Sequence, residues 1–247
     1  MNKKSSIELL GTKFSNVSYN EILDAIQLAI RTRTKLTICY ANVNSINLSI
    51  SDKKIKQLLS EFYILHPDGF GVYLGSKILA GKNGFSYKQS GSDLYEQIIE
   101  NAILNQWKLF IFGDTDETLE KIKYNCAELS IVGKKNGYVF ENEKLLIEIN
   151  NSKPDILIVG LGTPKQEEWI VKNKSNLMVN VIIAVGDGIK VFAGNKRRGP
   201  KILQKLGLEW FVRFIFEPKR LWKRYFIGIP LFIFRVIKFK FMNTKTG

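Results

Sequence analysis

The residue of this chain best placed to move a proton is Asp68, in the stretch His66-Pro67-Asp68-Gly69 that closes an apolar run. A carboxylate there can act as general base toward an attacking hydroxyl; followed by glycine, it can equally do no more than close a turn. A second stretch, "GLGTPKQEEW" from Gly160, follows the most strongly apolar run of the chain. Gly160 and Gly162 would let the backbone approach a phosphate or sugar closely. Pro164 suits a first helical turn, and near it the Gln166 amide can both donate and accept, as a uracil edge or sugar hydroxyls require. The segment is not a Walker A loop, and Lys165 stands where a dinucleotide fingerprint needs its third glycine. Taken alone it is also compatible with an ordinary strand-to-helix turn.

Other groups carry weaker signals. Asp114 and Asp116 form a D-x-D pair, an arrangement that can hold a divalent metal on a diphosphate; a helix cap with an acidic first turn accounts for it equally. Asn42 and Asn44 end another apolar run, where an amide can close a turn or orient a sugar. His66 is the single histidine, which leaves no His-based metal cluster, and Cys39 and Cys126 stand apart with no CxxC spacing. Near the C-terminus, Arg220, Lys223 and Arg224 share one face if a helix begins at Pro218. Such runs are usually solvated faces, yet Arg forks match phosphate oxygens and can neutralise a diphosphate without a metal.

These residues sit at the ends of short apolar runs: 36–42, 62–69, 108–114, 155–162 and 181–188. Each run is nearly continuous rather than alternating, as in strands covered on both faces. Between them lie stretches with helical spacing, such as 92–106, capped by Ser92, and 115–129, capped by Asp114 or Thr115. The succession predicts an α/β fold, a Rossmann-like parallel sheet flanked by helices. In such sheets ligands bind beyond the C-terminal strand ends, where loop amides and helix N-termini point outward.

Charge divides the chain. Of a formal +14, residues 196–245 carry fourteen Lys and Arg against Glu209 and Glu217, so a nearly neutral body over 1–195 is expected to precede a basic helical appendage over 196–247. The N-terminus has no apolar stretch of signal-peptide length. The longest apolar run, 225–234, is too short for a membrane span, which needs roughly twenty residues. From Tyr225 onward, Phe and Ile interleaved with Arg235, Lys238 and Lys240 suit an anionic membrane interface. A basic, aromatic segment also suits nucleic acid, and strand-Gly-x-Gly allows a nicotinamide enzyme. Neither accounts for the Asp-Gly and P-K-Q-E segments together.

Taken in order, "PDILIVGLGTPKQEEWI", "VFAGNKRRGPKILQKLGLEWFVRF" and "EPKRLWKRY" resemble the WecG/TagA/CpsF family of bacterial glycosyltransferases, glycosyltransferase family 26. The resemblance runs from about Leu36 to Tyr225. It implies inverting transfer of a sugar, N-acetylmannosamine or its uronic acid in the best-known members, from a UDP-sugar to a polyprenyl-diphosphate-linked saccharide. It further implies no metal or other cofactor, no nucleic acid partner, a peripheral place on the cytoplasmic face of the bacterial plasma membrane, and a possible homo-oligomer. By the same resemblance Asp68 is the base, Asn42 and Gln166 contact substrate, Gly162 belongs to the binding loop, and Arg213, Arg220 and Arg224 hold the diphosphate. Three positions depart from the family pattern. Tyr40 replaces a Thr, Lys88 an Arg, and Lys190 an Asp, the last reversing charge near the expected donor pocket. A UDP-hexose such as UDP-glucose, serving capsule or exopolysaccharide assembly, is therefore an alternative donor.

Overall fold

A computed structural model of the chain describes residues 6–194 and 209–244. An antiparallel hairpin opens it, β1 (Ser6–Leu9) and β2 (Thr12–Ser15), joined through Leu10 and Gly11 at φ 53° and 75°. The positive φ values give the tight turn its hairpin geometry, and Leu9 and Phe14 enter the core. The hairpin was not expected from the sequence.

The α/β succession then runs α1 (Tyr19–Thr32), β3 (Leu36–Ala41), α2 (Val43–Ser51), α3 (Lys53–Ser60), β4 (Ile64–Pro67), α4 (Phe70–Ala80) and α5 (Gly91–Leu104). It continues with β5 (Lys108–Gly113), α6 (Asp116–Asn125), β6 (Ser130–Lys135), α7 (Asn142–Ser152), β7 (Ile156–Gly160), α8 (Lys165–Asn173), β8 (Val181–Ala184) and the short α9 (Ile189–Phe192). The five apolar runs are β3, β4, β5, β7 and β8. The sixth strand, β6, is a half-buried edge whose Gly133 lies under the Phe110 ring. The cap of α5 is Ser90, not Ser92, and Pro164 precedes α8 rather than entering its first turn. Thr115 caps α6 by accepting from the Thr118 N–H.

All six strands are parallel, in the order β4-β3-β8-β7-β5-β6. One core packs α1, α5, α6 and α9 on one face, centred on Ile22, Ile98, Ile122 and Phe192. The other packs the hairpin, α2, α3, α4, α7 and α8, with Phe14, Ile46, Leu59, Val72, Ile149 and Ile170. Adjacent strands β3 and β8 send their following helices, α2 and α9, to opposite faces. A crevice must therefore open beyond their C-terminal ends, where parallel sheets hold ligands.

The boundary expected at 195/196 lies outside the described residues. The described part of the segment expected as an appendage comprises α10 (Glu209–Phe216), α11 (Pro218–Trp222), a π-helical stretch over Lys223–Gly228 and α12 (Ile229–Thr244). Pro218 stands in the first turn of α11, where its missing N–H is no loss. Pro230 cannot donate to the carbonyl one turn back, and the wider π turn falls on that stretch. Phe232 and Val236 are fully buried on the α2/α3/α4 side of the body. Arg235, expected at a membrane surface, instead turns inward: Nη1 donates to the Asn47 carbonyl and Oδ1 at 3.0 and 2.9 Å, and Nη2 to Ser51 Oγ. Asn47 returns a 2.7 Å bond from Nδ2 to the Gly228 carbonyl. A guanidinium so satisfied fixes the helix rather than facing lipid.

Candidate active site

The crevice holds a cavity of about 540 Å³. Of the residues singled out by sequence, Tyr40, Asn42, Asp68, Lys88, Arg220 and Arg224 all line it. They come from the ends of β3 and β4, the α4–α5 connection and the appendage. Its far wall is apolar, built by Leu74, Gly75 and Ile78 of α4 and Ile229, Phe232 and Ile233 of α12. The stretch after Tyr225, read from sequence as a separate membrane device, is thus also a wall of this cavity.

Asp68 follows β4 directly, and Gly69 at φ 91° turns the chain sharply into α4. Asp68 Oδ1 accepts from the Gly91 N–H at 2.8 Å, at the first turn of α5, where amides and the helix dipole favour an anion. Asp68 is partly exposed, so the carboxylate is both held and reachable. The neighbouring His66 is buried, with Nδ1 3.1 Å from the Pro67 carbonyl. Burial lowers its pKa, against the pull of Asp68 and that carbonyl, which keeps the ring neutral.

Two aromatic rings floor the site, and glycines make room for them. A Cβ on Gly186 would come within 2.3 Å of Tyr40 Oη, and one on Gly188 within 2.1 Å of the Tyr95 ring. Burial pushes the Tyr40 phenol up, Glu167 adds to this, and Arg224 opposes it. Burial likewise raises Tyr95, with Tyr40 and Asp68 contributing. Both rings therefore keep their O–H as donors. Asn42 Oδ1 caps α2 by accepting from Asn44 N and Ser45 N, and its amide NH₂ remains for a ligand.

The P-K-Q-E segment is placed differently from expectation. Gln166 is fully buried and does not line the cavity: Oε1 accepts from Gly186 N at 2.8 Å, and Nε2 donates to Glu167 Oε1 at 3.0 Å. It ties the loop after β7 to the loop after β8. Gly162, at φ 78°, shapes that turn and lies off the cavity wall. Glu167 is buried too, accepting from Thr163 Oγ1 and Cys39 Sγ; burial raises its pKa against these hydrogen bonds.

Lys190 lies off the wall as well, 3.1 Å from Asp187 Oδ1. Asp187, which does line the cavity, also meets Arg220 Nη2 at 3.3 Å through Oδ2, and Arg220 Nε pairs with Glu217. Burial alone lowers the Lys190 ammonium, but Asp187 outweighs it and holds it above its ordinary value. The charge reversal at position 190 is thus absorbed by a neighbour. Arg213 belongs to α10, and its side chain lies outside the described residues.

The D-x-D pair is separate from the cavity. Asp114 Oδ1 accepts from Thr115 N, and Asp116 Oδ2 from Asn136 Nδ2. Among the described residues no cluster of three or more His, Cys, Asp or Glu is arranged to hold a metal. Sequence reasoning missed Asp187 and Tyr95. The Gly-Asp-Gly spelling around Asp187 was the available signal; Tyr95, on an apolar helix face, carried none.

A parallel sheet whose crevice brings the carboxylates of Asp68 and Asp187 to arginines from a C-terminal helical arm has the outline of an α/β-class transferase. The chain belongs to the glycosyl transferase WecG/TagA/CpsF family, whose model matches residues 7–246. It is 30% identical over 243 residues, 96% of this chain and 94% of the relative, to a protein of Staphylococcus aureus strain NCTC 8325 / PS 47 named N-acetylglucosaminyldiphosphoundecaprenol N-acetyl-beta-D-mannosaminyltransferase. The relative of that name in strain MRSA252 is similar to the same extent.

Proposed function

We propose that the chain transfers an N-acetylmannosamine-type sugar from a UDP-sugar to N-acetylglucosamine carried on undecaprenyl diphosphate, with inversion and without a metal. The observation that carries this reading is the meeting of Asp68, Arg220 and Arg224 around one cavity, in a family whose similar members bear that activity in their name. The acceptor hydroxyl attacks the anomeric carbon of the donor. Its proton passes to Asp68, and the bond from that carbon to the diphosphate oxygen breaks, with the electron pair leaving on UDP. Arg220 and Arg224 offset the charge that develops on the diphosphate. The Tyr40 hydroxyl and the Asn42 amide are donors for sugar or phosphate oxygens.

The acceptor is lipid-borne, and the appendage suits a membrane surface. Among the described residues no helix is long and apolar enough to cross a membrane. Phe226, Phe234, Phe241 and Met242 are exposed beside Lys238 and Lys240, a combination that settles into an anionic interface. Asp68, the apolar wall between α4 and α12 and the exposed Phe226 line the same cavity, which suits an acceptor that stays anchored in the bilayer. The cytoplasmic face of the plasma membrane is where both substrates would meet. A screen of UDP-sugars against a lipid-diphosphate-linked N-acetylglucosamine, read by mass spectrometry, tests the reading. Product with UDP-N-acetylmannosamine supports it; product with UDP-glucose alone would replace the donor, and no product with any donor would end it.

A further inference from the structure

The first turn of α1 is tied to Asp68 through a single peptide unit. Ser18 caps α1 and shares a capping box with Glu21, so the entry of the chain into this helix is fixed. Tyr19, the first helical residue, packs against the core that α1 shares with α5. Its hydroxyl meets both backbone groups of Ser90: Oη accepts from the Ser90 N–H at 2.6 Å and donates to the Ser90 carbonyl at 3.0 Å. Ser90 is the N-cap of α5, but its own side chain makes no capping bond; Tyr19 holds that position from outside. The Ser90 carbonyl and the Gly91 N–H belong to one planar peptide and point in opposite directions. On the far side, the Gly91 N–H donates to Asp68 Oδ1 at 2.8 Å. Tyr19, the Ser90–Gly91 peptide and Asp68 thus form one hydrogen-bonded chain, in which each bond polarises the next. The preceding residue is pinned as well: the Gln89 carbonyl accepts from the Gly69 N–H at 2.8 Å, and Gln89 Nε2 donates to the Val17 carbonyl at 2.6 Å.

Resting on the reading of Asp68 as the base, we propose that Tyr19, which lies off the cavity wall, is a positioning residue for that base. The bond from Gly91 takes up Oδ1, and Oδ2 has no hydrogen-bond partner among the described residues, which leaves it for the acceptor hydroxyl. A carboxylate anchored through one oxygen presents the other only as accurately as the anchoring N–H is fixed, and proton transfer needs its heavy atoms within about 3 Å. If the Tyr19 hydroxyl is removed, the Ser90 N–H loses its partner and the Ser90 carbonyl keeps the 3.3 Å bond from the Leu94 N–H. Helix α5 then survives while the peptide that aims Asp68 can tilt. Small misplacements of a reacting group cost rate rather than binding, so the effect falls on the transfer step.

The test combines steady-state transfer, from the UDP-sugar that the screen above selects, with calorimetric titration of UDP. It compares the full-length wild type, Tyr19→Phe, Asp68→Asn and the Tyr19→Phe/Asp68→Asn double variant. Tyr19→Phe keeps the ring in place and should lower kcat about three- to tenfold, the scale of one hydrogen bond. KM for both substrates and the affinity for UDP should stay within about twofold. In the Asp68→Asn background the same substitution should change kcat by less than about twofold, because the group it orients no longer takes the proton. An equal slowing in both backgrounds, or a loss of UDP affinity that matches the loss of kcat, would mean that Tyr19 merely supports the fold and would overturn the positioning role. So would an unchanged kcat in Tyr19→Phe. Wild-type turnover in Asp68→Asn would instead overturn the reading of Asp68 as base, and the role of Tyr19 with it.

Discussion

Gly75 of α4 and Phe232 of α12 are packed so closely that a Cβ on Gly75 would lie 2.7 Å from Phe232 Cζ. The ring is 1% exposed and stands where the apolar wall of the cavity meets the core beneath it. The appendage is therefore seated in the body by a ring in a glycine notch, reinforced by the bonds from Arg235 to Asn47.

Phe232→Ala should accordingly lower stability by about 3–5 kcal/mol, the range for emptying a buried phenylalanine site. Urea denaturation of the two proteins measures the difference. Gly75→Ala should also destabilise, since neither the ring nor the helix can yield the missing space without moving α12.

A chain ending at Arg224 should lose sugar transfer as well as liposome binding. Sequence alone suggests that such a cut would weaken membrane attachment while sparing the fold. The structure adds that it removes Phe232, Ile233 and Val236 from the cavity wall and uncovers the notch at Gly75. Retained transfer to a short-chain acceptor analogue by the truncated protein would show that the wall is dispensable.

The strands that fix the site were legible because β3, β4, β7 and β8 are covered on both faces and spell near-continuous apolar runs. The edge strand β6 escaped because "SIVGKK" is half exposed and ends in Gly and two lysines rather than in a continuous apolar run. Asp68, Arg220 and Arg224 were legible as charged residues at strand ends or on one helix face. The burial of Gln166 was not, because a side-chain amide at a helix start can face a ligand or a neighbouring loop, and only the meeting of the turns after β7 and β8 decides between them. Arg235 was misplaced for a related reason: nothing local shows that α2 presents the Asn47 side chain and carbonyl to it.

Glu167 makes stability depend on pH in a defined direction. Burial raises its folded pKa above the ordinary carboxylate value, so the native state holds a proton that the unfolded chain gives up. The contribution is fully present below the unfolded pKa and is lost as pH rises through the folded one. Glu167→Gln should therefore be more stable relative to wild type at pH 8 than at pH 4. Urea midpoints at the two pH values check this, and an equal offset at both would mean that folding leaves the Glu167 pKa unshifted.

Asp68→Asn separates base catalysis from architecture. The amide keeps Oδ1 as an acceptor for the Gly91 N–H, so the turn from β4 and the first turn of α5 should survive, whereas Asp68→Ala also removes that bond. The amide cannot accept the acceptor's proton, so kcat should fall by about 10²–10⁴. UDP affinity should stay within about twofold, because the proposed reading assigns the diphosphate to Arg220 and Arg224 and not to Asp68. Arg220→Ala should show the converse pattern, weakening UDP as well as slowing transfer. Steady-state kinetics with UDP titrations distinguishes the two. If Asp68→Asn turned over at the wild-type rate, the proton would have to leave by another route, and the carboxylate would be reduced to an acceptor for the Gly91 N–H.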